Sequence, residues 1–454
     1  MLDHLPSPHS LPPRKVWLKT FGCQMNYHDS ERLLSHLEEI NFTSTDSRDD
    51  ADLILFNTCS IRDLANSKFY SHLGELKKFK QRLGRELVIG VGGCIAQIEG
   101  EELIRRFAHL DFAFGTDVID QINQLVLRAY LSEEKFSLNK WDRGRDYSIE
   151  TKIVHGEPQA FVNIIKGCDK FCTYCIVPYT RGREKSRRLA EIVGDCTNLV
   201  KEQGVSEITL LGQNVNSFGK EHSETLAELI ERLEPLVGLK RMRYTTSHPY
   251  DLSDALIAIH GRSKKLANNL HLPVQSGSDS VLSRMRREYT IEHYLDLVER
   301  LRAANPALSL STDIIVGFPN ESEEEFLATI ELLNRVRFDS IYSFKFSPRK
   351  GTKAAKIDDL LTEEVRGQRL QQVQKRQLEI QAEDRQKMVG QRYEILVEGS
   401  KVMKGQFKWS GRTSCNRIIH FLPEQEGVDY QWQWIEVEVI EATALSCQGR
   451  VVRE

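Results

Sequence analysis

Short apolar runs alternate with amphipathic stretches over residues 16–130. VWLKT precedes a helical pattern at 31–40, DLILF one at 64–83, ELVIGV one at 101–108, and DFAFG one at 118–130. Strand-length runs of Val, Ile, Leu and Phe separated by segments of helical period predict βαβ units, and so a parallel sheet. Residues 131–157 are polar and irregular and read as a linker. A second alternating region carries the candidate strands AFVNIIK, EITLL, RMRYTT, NLHLPV, LSLSTDIIVG and SIYSFKF. Six β/α units predict an open, partial β/α barrel. Past Pro348, a charged, Gln-rich helix is expected over 362–388. Residues 392–453 are rich in Val, Ile, Trp, Gly and turn formers and lack helical period, which predicts a small β-barrel. The expected fold class is therefore multidomain α/β: an N-terminal parallel sheet domain (15–130), a linker (131–153), a partial (β/α)6 barrel (154–388) and a C-terminal β-barrel (389–454), preceded by a short arm (1–14).

Composition limits the alternatives. The 454 residues suit about three domains at roughly 150 residues each. With 40% hydrophobic and 28% charged residues and a net charge of −3, the chain reads as an ordinary globular protein. No apolar run approaches the roughly 18 residues of a membrane span. The opening MLDHLPSPHSLPPRK is Pro-rich and lacks a signal peptide's apolar core, so a cytoplasmic protein with a disordered arm and no membrane partner is expected. Positive charge gathers in two places. Arg181, Arg183, Lys185, Arg187 and Arg188 lie within eight residues beside one acid, Glu184; Lys401, Lys404, Lys408, Arg412 and Arg417 lie in a stretch without acids. Such runs are solvated faces or phosphate-binding faces, and the run alone does not choose.

Nine cysteines in this length are too sparse for a disulfide scaffold, so their clustering matters. Cys168, Cys172 and Cys175 form C-x3-C-x2-C directly after a predicted strand, with Gly167 easing the turn. Three thiolates in one tight loop can hold three irons of a four-iron cluster and leave the fourth open. Zinc would want a fourth protein ligand, and none is close in sequence. Cys23, Cys59 and Cys94 each follow a predicted strand, in TFGCQMN, FNTCSIRD and VGGCIAQ. A parallel sheet gathers its strand ends on one ligand-binding edge, so three distant cysteines are expected to converge there, although one such cysteine alone would read as a buried thiol. Gly22, Gly92 and Gly93 permit close backbone approach, and Gln24, Asn26 and Asn57 suit either hydrogen bonds to a cluster or turn formation. Cys196, Cys415 and Cys447 have no such company and read as structural, as do His248 and His271.

These residues carry a resemblance. TFGCQMN with Asp29-Ser30, NTCSIR, GGCIAQ, GCDKFCTYCIVPYTRGRE, LLGQNVNSFG, SHP, HLPVQSGSD, DIIVGFP, SPRKGT and GRTSCNR, in this order, resemble the methylthiotransferases of the radical S-adenosylmethionine superfamily, over nearly the whole chain. TFGCQMN, NTCSIR and LLGQNVN look like the branch that modifies isopentenylated adenosine in tRNA. The resemblance implies a methylthiotransferase domain, a radical domain and an RNA-binding TRAM barrel, and two [4Fe-4S] clusters with S-adenosylmethionine as cofactors. It implies that Cys168, Cys172 and Cys175 hold the reducing cluster and Cys23, Cys59 and Cys94 the auxiliary one. It places Tyr174, Gln213, Asn214, Ser276, Gly277, Asp313 and Gly317 around the cofactor, although turn or core duty explains each nearly as well. Arg181, Arg183, Lys401, Lys404, Lys408, Trp409, Arg412 and Arg417 are candidate RNA contacts. GRTSCNR departs from a GRTENNR-like form at Ser414 and Cys415.

Carbon 2 of adenine carries an unactivated hydrogen that neither a simple nucleophile nor a general base readily replaces, so a radical route fits the implied reaction. The implied product is a methylthio group on carbon 2 of N6-(dimethylallyl)adenosine beside the anticodon, made with two molecules of S-adenosylmethionine. Bases in such a loop are splayed out at lower cost than bases in a duplex. The expected partners are tRNA and an electron donor such as flavodoxin or ferredoxin, and the expected state is a monomer. Alternatives left open are methylthiolation of threonylcarbamoyl adenosine or of a ribosomal protein, and a non-catalytic iron–sulfur RNA-binding protein.

Overall fold

The structure is a computed structural model describing residues 12–22, 24–60, 63–83, 86–132, 134–141, 157–403, 405–425 and 427–452. Most of the expected arm, and residues 142–153 of the expected linker, lie outside them. Packing divides the chain into two units. The first is 1–154 with 166–169 and 176–185; the second is 155–165, 170–175 and 186–454.

In the first unit six parallel strands stand in the order β2-β1-β3-β4-β5-β6. They are β1 (Arg14–Thr20), β2 (Phe42–Ser44), β3 (Leu53–Thr58), β4 (Val88–Gly93), β5 (Phe112–Phe114) and β6 (Phe136–Leu138), with helices α1 (Gln24–Glu38), α2 (Asp63–Leu83), α3 (Cys94–Arg106) and α4 (Ile122–Leu131) between them. Both faces of the sheet are covered. Leu33, Leu37, Phe42, Ile122 and Val126 belong to one core, and Phe56, Phe69, Leu73, Ile95 and Leu103 to another. β3 and β4 are consequently buried at every position, which explains their unbroken apolar runs. Two strands differ from expectation: β2 and β6 have three residues each, and β6 falls in the segment read as linker, where it pairs with β5. Chain order reverses between β1 and β3, so the carboxyl ends of these neighbours flank the crevice of a doubly wound sheet.

The second unit begins with the six expected strands: β7 (Gln159–Asn163), then β10 (Glu207–Leu211), β11 (Arg241–Tyr244), β12 (Asn269–His271), β13 (Ser309–Val316) and β14 (Ser340–Lys345). The short strands β8 (Ile165–Lys166) and β9 (Lys185–Ser186) bracket the C-x3-C-x2-C loop. The six form two parallel sheets, β11-β10-β7 and β12-β13-β14, linked by the bridge Met242↔Leu266, and so make an open half-barrel. Helices α6 (Leu189–Gln203), α7 (Leu226–Leu233), α8 (Asp254–Arg262), α9 (Asp279–Met285), α10 (Ile291–Ala304) and α11 (Glu323–Val336) follow the strands, whereas the single turn α5 (Val177–Thr180) belongs to the first unit. Side-chain caps fix where the helices begin: Ser253, Ser278 and Thr290 cap α8, α9 and α10, and Thr225 with Glu228 and Ser322 with Glu325 close capping boxes on α7 and α11. α12 (Glu363–Gln386) packs beside β14 and β13 and hydrogen-bonds into them through polar groups, with Gln377 Nε2 donating to Phe338 O at 2.7 Å.

The chain ends in a closed five-stranded barrel, β15-β16-β17-β19-β18, of β15 (Arg392–Met403), β16 (Gln406–Thr413), β17 (Ile418–Phe421), β18 (Trp434–Ala442) and β19 (Cys447–Val451). It docks against the starting ends of the half-barrel strands. Buried Arg241 and Arg243 share the Glu207 carboxylate at 3.1 and 3.4 Å and donate to the carbonyls of Arg412, Thr413 and Ser414. Ser414 Oγ accepts from Asn268 N–H at 2.9 Å, Ser309 Oγ donates to Cys415 O at 3.0 Å, and Arg417 pairs with Asp339. GRTSCNR is thus a docking loop, and its unusual Ser414 is used there. Among the described residues no helix is long and apolar enough to cross a membrane.

Candidate functional site

Cys59 and Cys94 of the first unit stand where β3 and β4 end. Cys23 lies outside the described residues, but Gly22 and Gln24 on either side of it are described. Strand register pairs Thr20 with Asn57 and Thr58 with Gly93, so the three loops leave the sheet side by side. Gly22 (φ +119°) presses on Cys59 so closely that a Cβ would fall 2.5 Å from its Cβ and 2.9 Å from its Sγ. Gly93 (φ +90°) meets Thr58 O in the same way at 2.5 Å. Both positions require glycine. Cys59 and Cys94 are buried, and Cys94 is the first residue of α3. Asn26 and Asn57 brace this edge: Asn26 Nδ2 donates to Phe21 O and Thr58 O at 2.7 and 2.9 Å, and Asn57 Nδ2 donates to Asn26 O at 2.7 Å. Arg181, expected to face phosphate, is buried here instead, with Nη1 2.6 Å from Asp29 Oδ2 and Nη2 donating to Asn26 Oδ1 at 2.6 Å. Arg183 is largely exposed and pairs with Asp169. Cys168 belongs to this unit and donates its N–H to Gly182 O.

In the second unit Cys172 and Cys175 lie at the carboxyl edge of the half-barrel. The Cys175 N–H donates to Cys172 O at 3.0 Å, and Phe171 takes a left-handed φ of 48°. Thr173 anchors the loop, donating through N–H to Met285 O and through Oγ1 to Arg284 O. Arg287, which sequence reasoning missed, is also here. Its guanidinium is buried, Nη1 lies 3.5 Å from Cys172 Sγ, Nη2 donates to Pro273 O at 2.7 Å and Nε to Tyr289 Oη at 2.9 Å. Burial pushes the Tyr174 phenol well up, against the opposing pull of Arg287, and pushes Tyr289 up to about 12. Burial and then Arg287 hold His248 far below its usual range, so its ring is neutral; it meets Tyr289 edge-on at 5.6 Å.

The other cofactor candidates share this edge but differ in duty. Tyr174 packs in one cluster with Ile315, on the strand that also carries Asp313. Asp313 lies 3.4 Å from His271 Nε2, and His271 also bonds Ser311 and meets Tyr342 edge-on, which gives it more than a packing role. Gln213 is half-buried just past β10, and Asn214 donates to Asp251 at 2.7 Å. Gly277 lies so close to α11 that a Cβ would sit 2.4 Å from Ala328 O, and Ser276 is fully buried beside Thr329. Gly317 (φ +66°) donates to Glu321 Oε2 at 2.7 Å and accepts from Arg366.

The RNA candidates of the barrel fall into separate groups. Lys401 is exposed and Lys408 donates to Gln448, whereas Lys404 lies outside the described residues. Trp409 sits in the barrel core; Phe407, half-exposed and edge-on to Trp409 at 5.7 Å, presents the open ring. Arg412 is held by Glu398, and Arg417 by Asp339 in the docking interface. Cys196 and Cys447 are buried, and burial pushes the Cys196 thiol up to about 12.

Comparison with known proteins gives concordant matches. The profile of the uncharacterized protein family UPF0004 matches residues 15–115, and that of the Radical SAM superfamily matches 162–333. The chain is 43% identical to the tRNA-2-methylthio-N(6)-dimethylallyladenosine synthase of Carboxydothermus hydrogenoformans, across 97% of this chain and 99% of that one. It is 44% identical to the proteins of the same name from Anaeromyxobacter sp. (93% of each chain) and Acidithiobacillus ferrooxidans (96% and 97%). Among solved structures, the fold resembles the radical S-adenosylmethionine methyltransferase TsrM from Kitasatospora setae, with a TM-score of 0.57 at 13% identity over 76% of this chain and 74% of that one. It also resembles the cobalamin-dependent S-adenosylmethionine radical enzyme OxsB, with a TM-score of 0.54 at 11% identity over 80% and 56%.

Proposed function

The chain belongs to the tRNA-2-methylthio-N(6)-dimethylallyladenosine synthase family, and from that premise we propose how its residues serve the family's reaction. The enzyme places a methylthio group on carbon 2 of N6-(dimethylallyl)adenosine in tRNA, beside the anticodon. Cys168, Cys172 and Cys175 hold one [4Fe-4S] cluster, and Cys23, Cys59 and Cys94 hold the other. The carrying observation is that Cys59 and Cys94 fall at one strand-end edge, with glycines clearing the space beside them.

The residues fit these groups. Thiolates are the ligands that such clusters take, and the buried Arg287 cation beside Cys172 suits an anionic centre. When bound, the clusters and S-adenosylmethionine supply one-electron chemistry able to remove an unactivated hydrogen and deliver sulfur and methyl. The chain's own residues position these parts. Tyr174 and Asp313 bound the cofactor, with Gln213, Asn214, Ser276, Gly277 and Gly317 shaping the loops around it. The barrel, read as a TRAM domain, offers Lys401, Lys408 and Phe407 for phosphate and base contacts, with Arg183 as a further exposed cation. A low-potential donor such as flavodoxin or ferredoxin delivers electrons to a cytoplasmic monomer.

The test is mass spectrometry of nucleosides from hypomodified tRNA incubated anaerobically with reconstituted protein, reductant and S-adenosylmethionine. A methylthio shift on dimethylallyladenosine is expected. Cys172→Ala abolishes release of 5′-deoxyadenosine, whereas Cys59→Ala with Cys94→Ala keeps that release and loses the sulfur-containing product. Release of 5′-deoxyadenosine by the intact enzyme without any change to the nucleoside would move the substrate to another RNA or to a protein.

A further inference from the structure

Six arginines are buried among the described residues, and five of them pair with a carboxylate: Arg181 with Asp29, Arg187 with Asp195, Arg241 and Arg243 with Glu207, and Arg369 with Glu321. Arg287 is the sixth. It is 4% exposed, and no carboxylate pairs with it among the described residues. Its partners are the carbonyl of Pro273, the phenol of Tyr289 and the sulfur of Cys172. Two aromatic groups around it, Tyr289 and His248, are kept uncharged by burial. A buried guanidinium without a carboxylate partner is costly unless another anion completes the site.

We propose that Arg287 is a positioning residue for the radical-generating cluster, whose guanidinium donates an N–H···S hydrogen bond to Cys172 and raises that cluster's reduction potential. The inference rests on the reading of Cys168, Cys172 and Cys175 as cluster ligands. Three thiolates give such a cluster net negative charge, and each added electron makes it more negative. A fixed cation 3.5 Å from a ligand sulfur favours the reduced state more than the oxidised one. Tyr289 and the Pro273 carbonyl hold the guanidinium fork in place, so the hydrogen bond needs no rearrangement when charge arrives. The redox step is simple: one electron passes from a one-electron reductant to the cluster, no bond at Arg287 is made or broken, and its protons stay in place.

The experiment is a redox titration of the full-length reconstituted protein, followed by electron paramagnetic resonance without S-adenosylmethionine and with dithionite as reductant. Cys59→Ala and Cys94→Ala are present throughout so that one cluster titrates. Arg287→Met is expected to lower the ratio of reduced to oxidised cluster at fixed potential at least tenfold, a 59 mV shift for a one-electron couple. Arg287→Lys keeps the charge without the fork and falls between. If Arg287→Met does not retain iron, Arg287→Lys carries the measurement; loss of iron from both with an unchanged far-ultraviolet spectrum supports charge compensation by the guanidinium. Iron-loaded variants with the parent's potential overturn the proposal, whatever happens to cofactor affinity. A parent in which Cys172→Ala leaves the cluster intact defeats the ligand reading itself, a separate failure.

Discussion

The half-barrel buries arginines at both of its edges but closes their charge differently. At the strand-starting edge Arg241 and Arg243 share Glu207 and four carbonyls, all contributed by the docked barrel. At the strand-ending edge Arg287 has a sulfur, a phenol and a carbonyl. The first arrangement is complete within the polypeptide and serves assembly. The second has no carboxylate among its described partners and turns to a cysteine sulfur instead. Buried arginines at the two edges are therefore told apart by the carboxylate.

The strongest way to break that contrast is Glu207→Ala. It strands two buried guanidinium groups and is expected to cost about 3–5 kcal/mol of unfolding free energy by denaturant titration; a loss under 1 kcal/mol would mean that the carbonyls alone suffice. A buried group that carries no charge provides an intermediate case. His260 is held at about 4 by burial and bonds Tyr244 Oη at 2.6 Å, so the folded chain keeps it neutral where an unfolded chain, near 6.5, protonates it. Its contribution is fully present above about pH 6.5 and is lost as pH falls toward about 4, amounting to roughly 3 kcal/mol at most. Subtracting the stability profile of His260→Phe from that of the parent should isolate this window. The smallest effect is expected at Arg287 in iron-free protein. There Arg287→Met removes an uncompensated cation together with its hydrogen bonds to Tyr289 and Pro273, and is expected to raise unfolding free energy by about 1–2 kcal/mol. A loss as large as that of Glu207→Ala would place Arg287 in the structural class.

What the sequence disclosed follows from the range of the interactions involved. Alternating periods announced β1, β3, β4 and β5 and all six half-barrel strands, because each lies in a run long enough to show a pattern, even where the strand itself, as at β5 and β12, has three residues. β2 and β6, also of three residues, lie in no such run. α1 and α3 begin at Gln24 and Cys94, about seven residues before their apolar periodicity emerges, since their first turns carry the polar and glycine-flanked residues of the site. The strand-end placement of Cys59 and Cys94 was legible because each follows an unbroken apolar run. Arg287 was not: it meets Cys172 across 115 residues, and nothing in RMRREYT separates it from Arg284, which pairs with Glu325, or from Arg286. The basic residues were legible as a class but not in their individual uses. Arg181 and Arg417 are spent on ion pairs that only the folded chain brings together.

β13 runs from Ser309, which bonds the C-terminal barrel at Cys415, to Val316, next to Gly317 at the opposite edge. Eight residues of parallel strand measure about 26 Å. The half-barrel therefore works as a ruler. It holds the C-terminal barrel and the Cys172–Cys175 loop a set distance apart, so a group held at one end can be met at the other only at that reach.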